Sequence, residues 1–207
     1  MFDVGYLSEE IKKFLSGKRL EHSLSVRDEC AALAGMFGVT GEDRLRLLSA
    51  AVLHDITKEV KGKDQPALLK ELGVEASPEQ LASPKTLHAI SGAALALRDY
   101  PDQIDAECAR MIRSHTTGRA GMSLGEKLLY LADYIEPLRT WDDCRKLRKV
   151  FYSGAAKCSG REELLTHLDS VMILSYDLTI SELISSGGVI ATETVESRNA
   201  LIIAGNS

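Results

Sequence analysis

Ser123–Arg139, SLGEKLLYLADYIEPLR, is the stretch on which the reading of this chain turns. Ser123 and Glu126 stand at the spacing of a capping box, in which each side chain satisfies the other residue's free backbone N–H at a helix start. Leu128, Leu129, Leu131 and Ala132 then surround Asp133 with apolar neighbours, and Pro137 stops the helix soon after. A carboxylate in such company is expensive to bury unless it is paired or ligates a metal. Asp133 is therefore a candidate for one of these two roles.

Outward from this segment the pattern stays helical. Leu20, Leu24, Ala31 and Ala34 line one face of a helix, and Leu45, Leu48, Val52 and Ile56 line another. Ser77-Pro78-Glu79-Gln80 combines an N-cap, a first-turn proline and a third-position Gln. Ser159 and Glu162 repeat the capping spacing ahead of a long final helix, from about Arg161 to Ser185, which the Gly187-Gly188 pair ends. Thr192 to Ile203 reads as a short last helix or an ordered tail. No repeat, low-complexity tract or long linker divides the chain. The expected fold is an all-α bundle forming a single domain over residues 1–207, with its core over about 18–140 and C-terminal helices over about 141–207.

Composition narrows the class. The 207 residues are 44% hydrophobic, 27% charged and 5% aromatic, as expected of a helix-rich globular protein. A net charge of −5 argues against nucleic-acid or anionic-membrane binding, which call for an excess of Lys and Arg on one face. Cys30, Cys108, Cys144 and Cys158 form no CxxC pair and are expected to be reduced, buried thiols. No apolar run approaches the roughly 20 residues of a membrane-spanning helix, and the acidic stretch Met1 to Glu10 does not resemble a signal peptide. The expectation is a cytoplasmic protein.

Chemistry is concentrated in the histidines. Of five, four stand in contexts suited to metal or phosphate chemistry: His22, His54 beside Asp55, His88 and His115. Taken singly, each has an ordinary explanation. His22 among Leu20, Leu24 and Val26 reads as a core histidine, and His88 and His115 as exposed ones. A His-Asp pair at the end of the apolar run Leu45 to Leu53 is more often a solvated helix terminus. Neighbours on a straight helix point about 100° apart, so His54 and Asp55 can share an ion only where the helix is closing. The combination of imidazole and carboxylate suits Fe, Mn, Zn or Ni better than Ca. His167, among Leu164, Leu165 and Leu168, is read as structural, and Trp141 with Asp142 and Asp143 as a helix start.

Taken together, these segments resemble the HD-domain phosphohydrolases, and within them the YqeK-type symmetrical diadenosine tetraphosphate hydrolases. The likeness runs from Arg19-Leu-Glu-His-Ser-Leu-Ser-Val26 and Ala51-Val-Leu-His-Asp-Ile-Thr-Lys58 through Leu87-His-Ala-Ile90 and His115-Thr-Thr-Gly118. It continues over Lys127 to Arg139 and ends in Val195-Glu-Ser-Arg-Asn199. The block from His115 to Arg139 is its most specific part. The resemblance implies that His22, His54, Asp55 and Asp133 ligate a metal. Iron is the expected ion, with a di-iron centre or Mn, Ni, Co or Zn as alternatives. It implies that His88 and His115 hold a second metal or contact substrate phosphates, and that Arg19, Lys58, Thr116 and Arg139 bind phosphate. Asp55, Lys58, His88 and His115 would take part in catalysis.

The expected reaction is symmetrical cleavage of diadenosine tetraphosphate and related dinucleoside tetraphosphates by metal-activated water, with ADP as product and a homodimer as the working form. Rival readings are a phosphatase or phosphodiesterase acting on another nucleotide, and a non-catalytic nucleotide-binding regulator. The tail departs from the family pattern: Ala191-Thr192 stands where a His-Pro pair is common. This puts the role of the C-terminal segment in question, while the metal site is unaffected.

Overall fold

Helix follows helix through residues 2–206, which the computed structural model describes. They are α1 (Val4–Glu10), α2 (Gly17–Met36), α3 (Gly41–Leu53), α4 (Gln65–Glu71), α5 (Pro78–Leu81), α6 (Leu87–Asp99), α7 (Ala106–Ser114), α8 (Leu124–Ile135), α9 (Asp142–Ala155), α10 (Arg161–Ser186) and α11 (Thr192–Gly205). Among the described residues there is no strand, and no helix is long and apolar enough to cross a membrane.

Local chemistry accounts for the ends that matter. The Ser123 side chain accepts from the Glu126 N–H, and the Glu126 side chain accepts from the Ser123 N–H at 2.7 Å, so both halves of the box form. Glu136, ahead of Pro137, leaves the helical region and ends α8. Ser77 and Gln80 form a second complete box, although α5 is a single turn. At the other end of the chain the reading needs correction. Gly160, not Ser159, is the N-cap of α10; no side chain caps that helix, and the Ser159 N–H instead donates to Glu163 at 2.7 Å. Gly187, at φ +70°, closes α10 in the left-handed conformation that glycine adopts without strain.

Two helices cradle the site. Helix α3 is buried on nearly every side from Leu47 to Leu53, with Leu45 left exposed. On α2 the buried face is Ser23, Val26, Cys30, Leu33 and Ala34, with His22 and Glu29 on the same side. Leu20, Leu24 and Ala31 lie at its margin, so the inward face is rotated from the one the leucines suggest. The cause is that polar residues with buried partners occupy part of the inward face. Helices α3 and α8 pack on α2, α7 packs on α3 and α6, and α9, α10 and α11 follow as successive neighbours. One apolar cluster runs through these helices, anchored by Phe37 and Phe151 stacked at 6.5 Å. A small second cluster of Leu69, Leu87 and Ile90 lies under α4 and α6.

His167 is structural, as expected. Its Nε2 donates to the Phe151 carbonyl at 2.9 Å, and its ring stacks on Phe151. Cys30, Cys108 and Cys144 are buried, Cys158 is half-buried, and all four thiols are free.

Candidate metal centre

His54 and Asp55 sit where α3 gives way to a run of tight turns. His54 is the helix C-cap, the Ile56 N–H bonds back to the Leu53 carbonyl at 3.0 Å, and the Lys58 N–H bonds back to the Asp55 carbonyl at 2.7 Å. This tightening to three-residue bonds turns both side chains toward one interior. Their relative exposures are 0% and 2%.

Asp55 is the hub. Its Oδ2 lies 3.9 Å from His22 Nε2 and 3.8 Å from His54 Nε2, while its Oδ1 lies 3.2 Å from His88 Nε2 and 3.7 Å from His115 Nε2. Asp133, reaching in from α8, places Oδ1 3.0 Å from His22 Nε2 and 3.8 Å from His54 Nε2. The four imidazoles form a row, with ring centroids 5.4 Å apart from His22 to His54, 4.9 Å from His54 to His115 and 5.1 Å from His115 to His88. Donor atoms of three trios, His22–His54–Asp55, His54–His115–Asp133 and Asp55–His88–His115, come within 4.8 Å of one another.

Three of these rings are held by their far nitrogen. His54 Nδ1 meets the Ala51 carbonyl at 2.7 Å, His115 Nδ1 meets the Ile112 carbonyl at 2.6 Å, and His22 Nδ1 meets Glu136 Oε1 at 3.0 Å. The carbonyl partners of His54 and His115 require the proton on Nδ1, which leaves Nε2 as the lone-pair nitrogen of each neutral ring, while His22, held between Glu136 and Asp133, donates from both nitrogens when charged. Burial pushes the His54 pKa down to about 3 and the His88 pKa down to about 4, so both imidazoles are neutral near pH 7. Burial also opposes charge on His22, but its bonds to Asp133 and Glu136 prevail and raise its pKa to about 9. For Asp55 burial is again outweighed: His54, His115, His88 and Lys58 hold its carboxyl well below the usual range. Arg139, His22 and His54 do the same for Asp133.

Cations ring the cluster. Lys58 Nζ lies 2.9 Å from His88 Nε2 and 3.5 Å from Asp55 Oδ1, and burial lowers its pKa. Arg139 bonds to Asp133 and stacks over Trp141, whose ring is 62% exposed. Arg19, largely exposed, approaches Asp55 Oδ2 at 3.4 Å. Thr116 Oγ1 is 3.1 Å from His115 Nε2 and 3.3 Å from His88 Nε2. Every residue singled out from the sequence thus converges on one centre. His88 and His115, which read singly as exposed, are both buried.

Two contributors were not singled out beforehand. Glu136 binds His22, and its other oxygen accepts from Ser25 Oγ and the Leu138 N–H. It lies inside the quoted Lys127 to Arg139 block, so its position beside Pro137 was a usable signal. Arg148 donates to the carbonyls of Ile135, Glu136 and Arg139, fixing the turn that carries Arg139. Nothing in its sequence context marks it.

The donor set fits a metal. His54 Nε2 and Asp55 Oδ1 are fully buried with no hydrogen-bond partner, a condition that costs on the order of 1–3 kcal/mol per group when nothing relieves it. Imidazole nitrogens and carboxylates clustered around such atoms can hold a divalent transition metal.

Known proteins resemble this chain. The profile of the HD domain family matches residues 19–138. The symmetrical bis(5'-nucleosyl)-tetraphosphatase of Halalkalibacterium halodurans is 29% identical over 195 residues, 93% of this chain and 94% of that one. Proteins of the same name from Bacillus subtilis and Staphylococcus aureus are 34% and 35% identical over 142 and 146 residues, covering 68% and 69% of this chain and 73% and 71% of theirs. A crystal structure of an HD superfamily hydrolase from Clostridium acetobutylicum, described as involved in NAD metabolism, superposes with a TM-score of 0.82 at 32% identity over 99% of both chains.

Proposed function

Because this chain belongs to the HD domain family and, within it, to the symmetrical bis(5'-nucleosyl)-tetraphosphatases, we propose that it hydrolyses dinucleoside tetraphosphates such as diadenosine tetraphosphate into two nucleoside diphosphates. The observation that carries this reading to particular residues is the pair of orphaned buried atoms, His54 Nε2 and Asp55 Oδ1, at the centre of the imidazole row.

In this reading His22, His54, Asp55 and Asp133 hold the metal, with iron the expected ion. Asp55 presents its second oxygen to His88 and His115, which hold a second ion or contact phosphate. A metal held there supplies Lewis acidity and lowers the pKa of water at the site. Lys58, half-buried against His88, neutralises charge growing on the phosphates and gives its proton to the departing ADP; its lowered pKa suits that transfer. Arg139 and Arg19, now paired with Asp133 and Asp55, have their ligand-carboxylate partners in common with the metal. With Asp133 and Asp55 holding an ion, both guanidiniums would be available to clamp phosphate oxygens. Thr116 Oγ1 stands ready as a further donor beside the two histidines.

The test is a product analysis. Protein loaded anaerobically with ferrous iron should convert diadenosine tetraphosphate to ADP alone. Formation of AMP and ATP, or absence of turnover with metal bound, would overturn the reading.

A further inference from the structure

A dinucleoside tetraphosphate cut at its middle anhydride carries one nucleoside away from the metal centre on either side. At the His22 end of the imidazole row stands the turn that joins α8 to α9, residues 136–141. Arg139 in this turn bonds to Asp133 and brings Nη2 to 3.5 Å from His22 Nε2, while its Cζ lies 5.3 Å over the ring centroid of Trp141. One face of the indole is thus taken by the guanidinium that reaches a candidate metal ligand. Trp141 is nevertheless 62% exposed, and Leu138 in the same turn is 55% exposed.

The backbone of this turn is pinned although its apolar side chains are free. Glu136 meets His22 Nδ1 with one oxygen and accepts from the Leu138 N–H at 2.7 Å with the other, and the Arg139 N–H bonds back to the Glu136 carbonyl at 3.1 Å. Arg148 donates to the carbonyls of Ile135, Glu136 and Arg139. Trp141 is the N-cap of α9, and its carbonyl accepts from the Arg145 N–H at 2.9 Å. Scattered apolar residues on a surface are ordinary and call for no explanation. What distinguishes Trp141 is its place: a large ring on a tethered backbone, stacked on a guanidinium that touches the metal cluster.

The chemistry offered there is that of a nucleotide half taken in order. A flat aromatic face receives a base by stacking, and it does so whatever the base, because every base has a π-face. Next to it, Arg139 Nε is buried and has no hydrogen-bond partner among the described residues, so the guanidinium is not saturated by the fold. Asp133 and His22 lie beyond it.

We propose that Trp141 is the stacking platform for the base of one nucleoside of the dinucleotide, which lies on the indole face turned away from Arg139. The proposal rests on the function given above. It makes this end of the site indifferent to the identity of the base, so adenine and guanine dinucleotides are held alike here.

Trp141 is the only tryptophan of the chain, so its fluorescence reports on this position alone. Iron-loaded wild type, Trp141→Ala and Trp141→Phe are titrated by calorimetry with the β,β′-methylene analogue of diadenosine tetraphosphate, which cannot be cut at its middle, and with inorganic tetraphosphate, which has no base. Trp141→Ala should bind the analogue about tenfold more weakly and tetraphosphate as wild type does, with equal bound iron. Trp141→Phe should recover most of the loss. Saturating wild type with the adenine analogue or its guanine counterpart should quench the indole to a similar extent. Equal weakening of analogue and tetraphosphate in Trp141→Ala overturns the proposal, since the indole then serves only to hold Arg139. Unchanged affinity for the analogue overturns it too, as does an indole left unquenched at saturation. That last measurement, made on wild type, decides the matter if Trp141→Ala fails to fold. Wild type that binds the analogue with quenching yet does not cleave diadenosine tetraphosphate leaves the platform standing and removes the functional reading, whereas cleavage with an unquenched indole removes the platform alone.

Discussion

Helix α8 carries two inward-facing carboxylates about two turns apart, one buried and one half-buried, and they are treated in opposite ways. Glu126, 1% exposed, is saturated: it takes two bonds of 2.6 Å from Arg119, one of 2.7 Å from the Ser123 N–H and one of 3.1 Å from Ser114 Oγ. Asp133 instead shares its surroundings with His22, His54 and Arg139, beside an imidazole nitrogen and an aspartate oxygen that have no partner. Native structures leave few buried polar groups unsatisfied. A saturated carboxylate therefore reads as part of the scaffold, and a cluster with orphaned atoms reads as a site waiting for a ligand.

Removing a ligand from the unsaturated cluster should have the largest effect. His54→Ala, Asp55→Ala or Asp133→Ala should lose bound metal and at least about three orders of magnitude in turnover together, checked by metal analysis and kinetics on one sample. Retained activity in any of them would break the comparison.

Glu136 tests the cluster one bond further out. Glu136→Ala removes the partner of His22 Nδ1 and should weaken metal affinity about 10–100-fold, read by competition with a chelator, while Glu136→Gln, which still offers an oxygen, should recover part of it.

Glu126→Ala should show the reverse profile. The loss of a cap and of a saturated buried carboxylate should cost about 2 kcal/mol, a fall in Tm of roughly 4–8 °C for a chain of this size. Metal stoichiometry of the folded protein should be unchanged.

The smallest effect is in acid. Burial works against charge on Glu126, yet the bonds from Arg119, Ser123 and Ser114 hold its carboxyl below the ordinary 4.5. Its ionised form therefore contributes stability above about pH 4.5, and that contribution is lost as pH falls through the lower folded value. Denaturant midpoints of wild type should drop more steeply below pH 4.5 than those of Glu126→Gln.

Much of this was legible in the residues. The boxes at Ser77 and Ser123 and the stop at Pro137 act within one helical turn, so their outcome follows from nearest neighbours and appears as read. Ser159 shows the limit of such signals. Its backbone N–H found Glu163, and Gly160 took the cap. On α2 the apolar periodicity pointed at Leu20 and Leu24, whereas the helix turns Ser23, Val26 and Cys30 inward. The difference arises because His22 and Glu29 are satisfied by Glu136 and Tyr152 from across the bundle.

Sequence alone determined the all-α class, the order of the helices and the candidate ligands His22, His54, Asp55 and Asp133, because propensity, capping and motif order are local properties of the chain. Only the tertiary structure decided that Asp55 faces two imidazole pairs at once, that Glu136 orients His22, that Lys58 packs against His88, and that the tail closes a cleft lined by Ser114 and Thr117. Each of these is a meeting of residues far apart in the chain, set by how α2, α3, α6, α7, α8 and the C-terminal segment pack. No spacing along one strand of sequence encodes which oxygen of Asp55 meets which imidazole, since that depends on where separate helices come to rest.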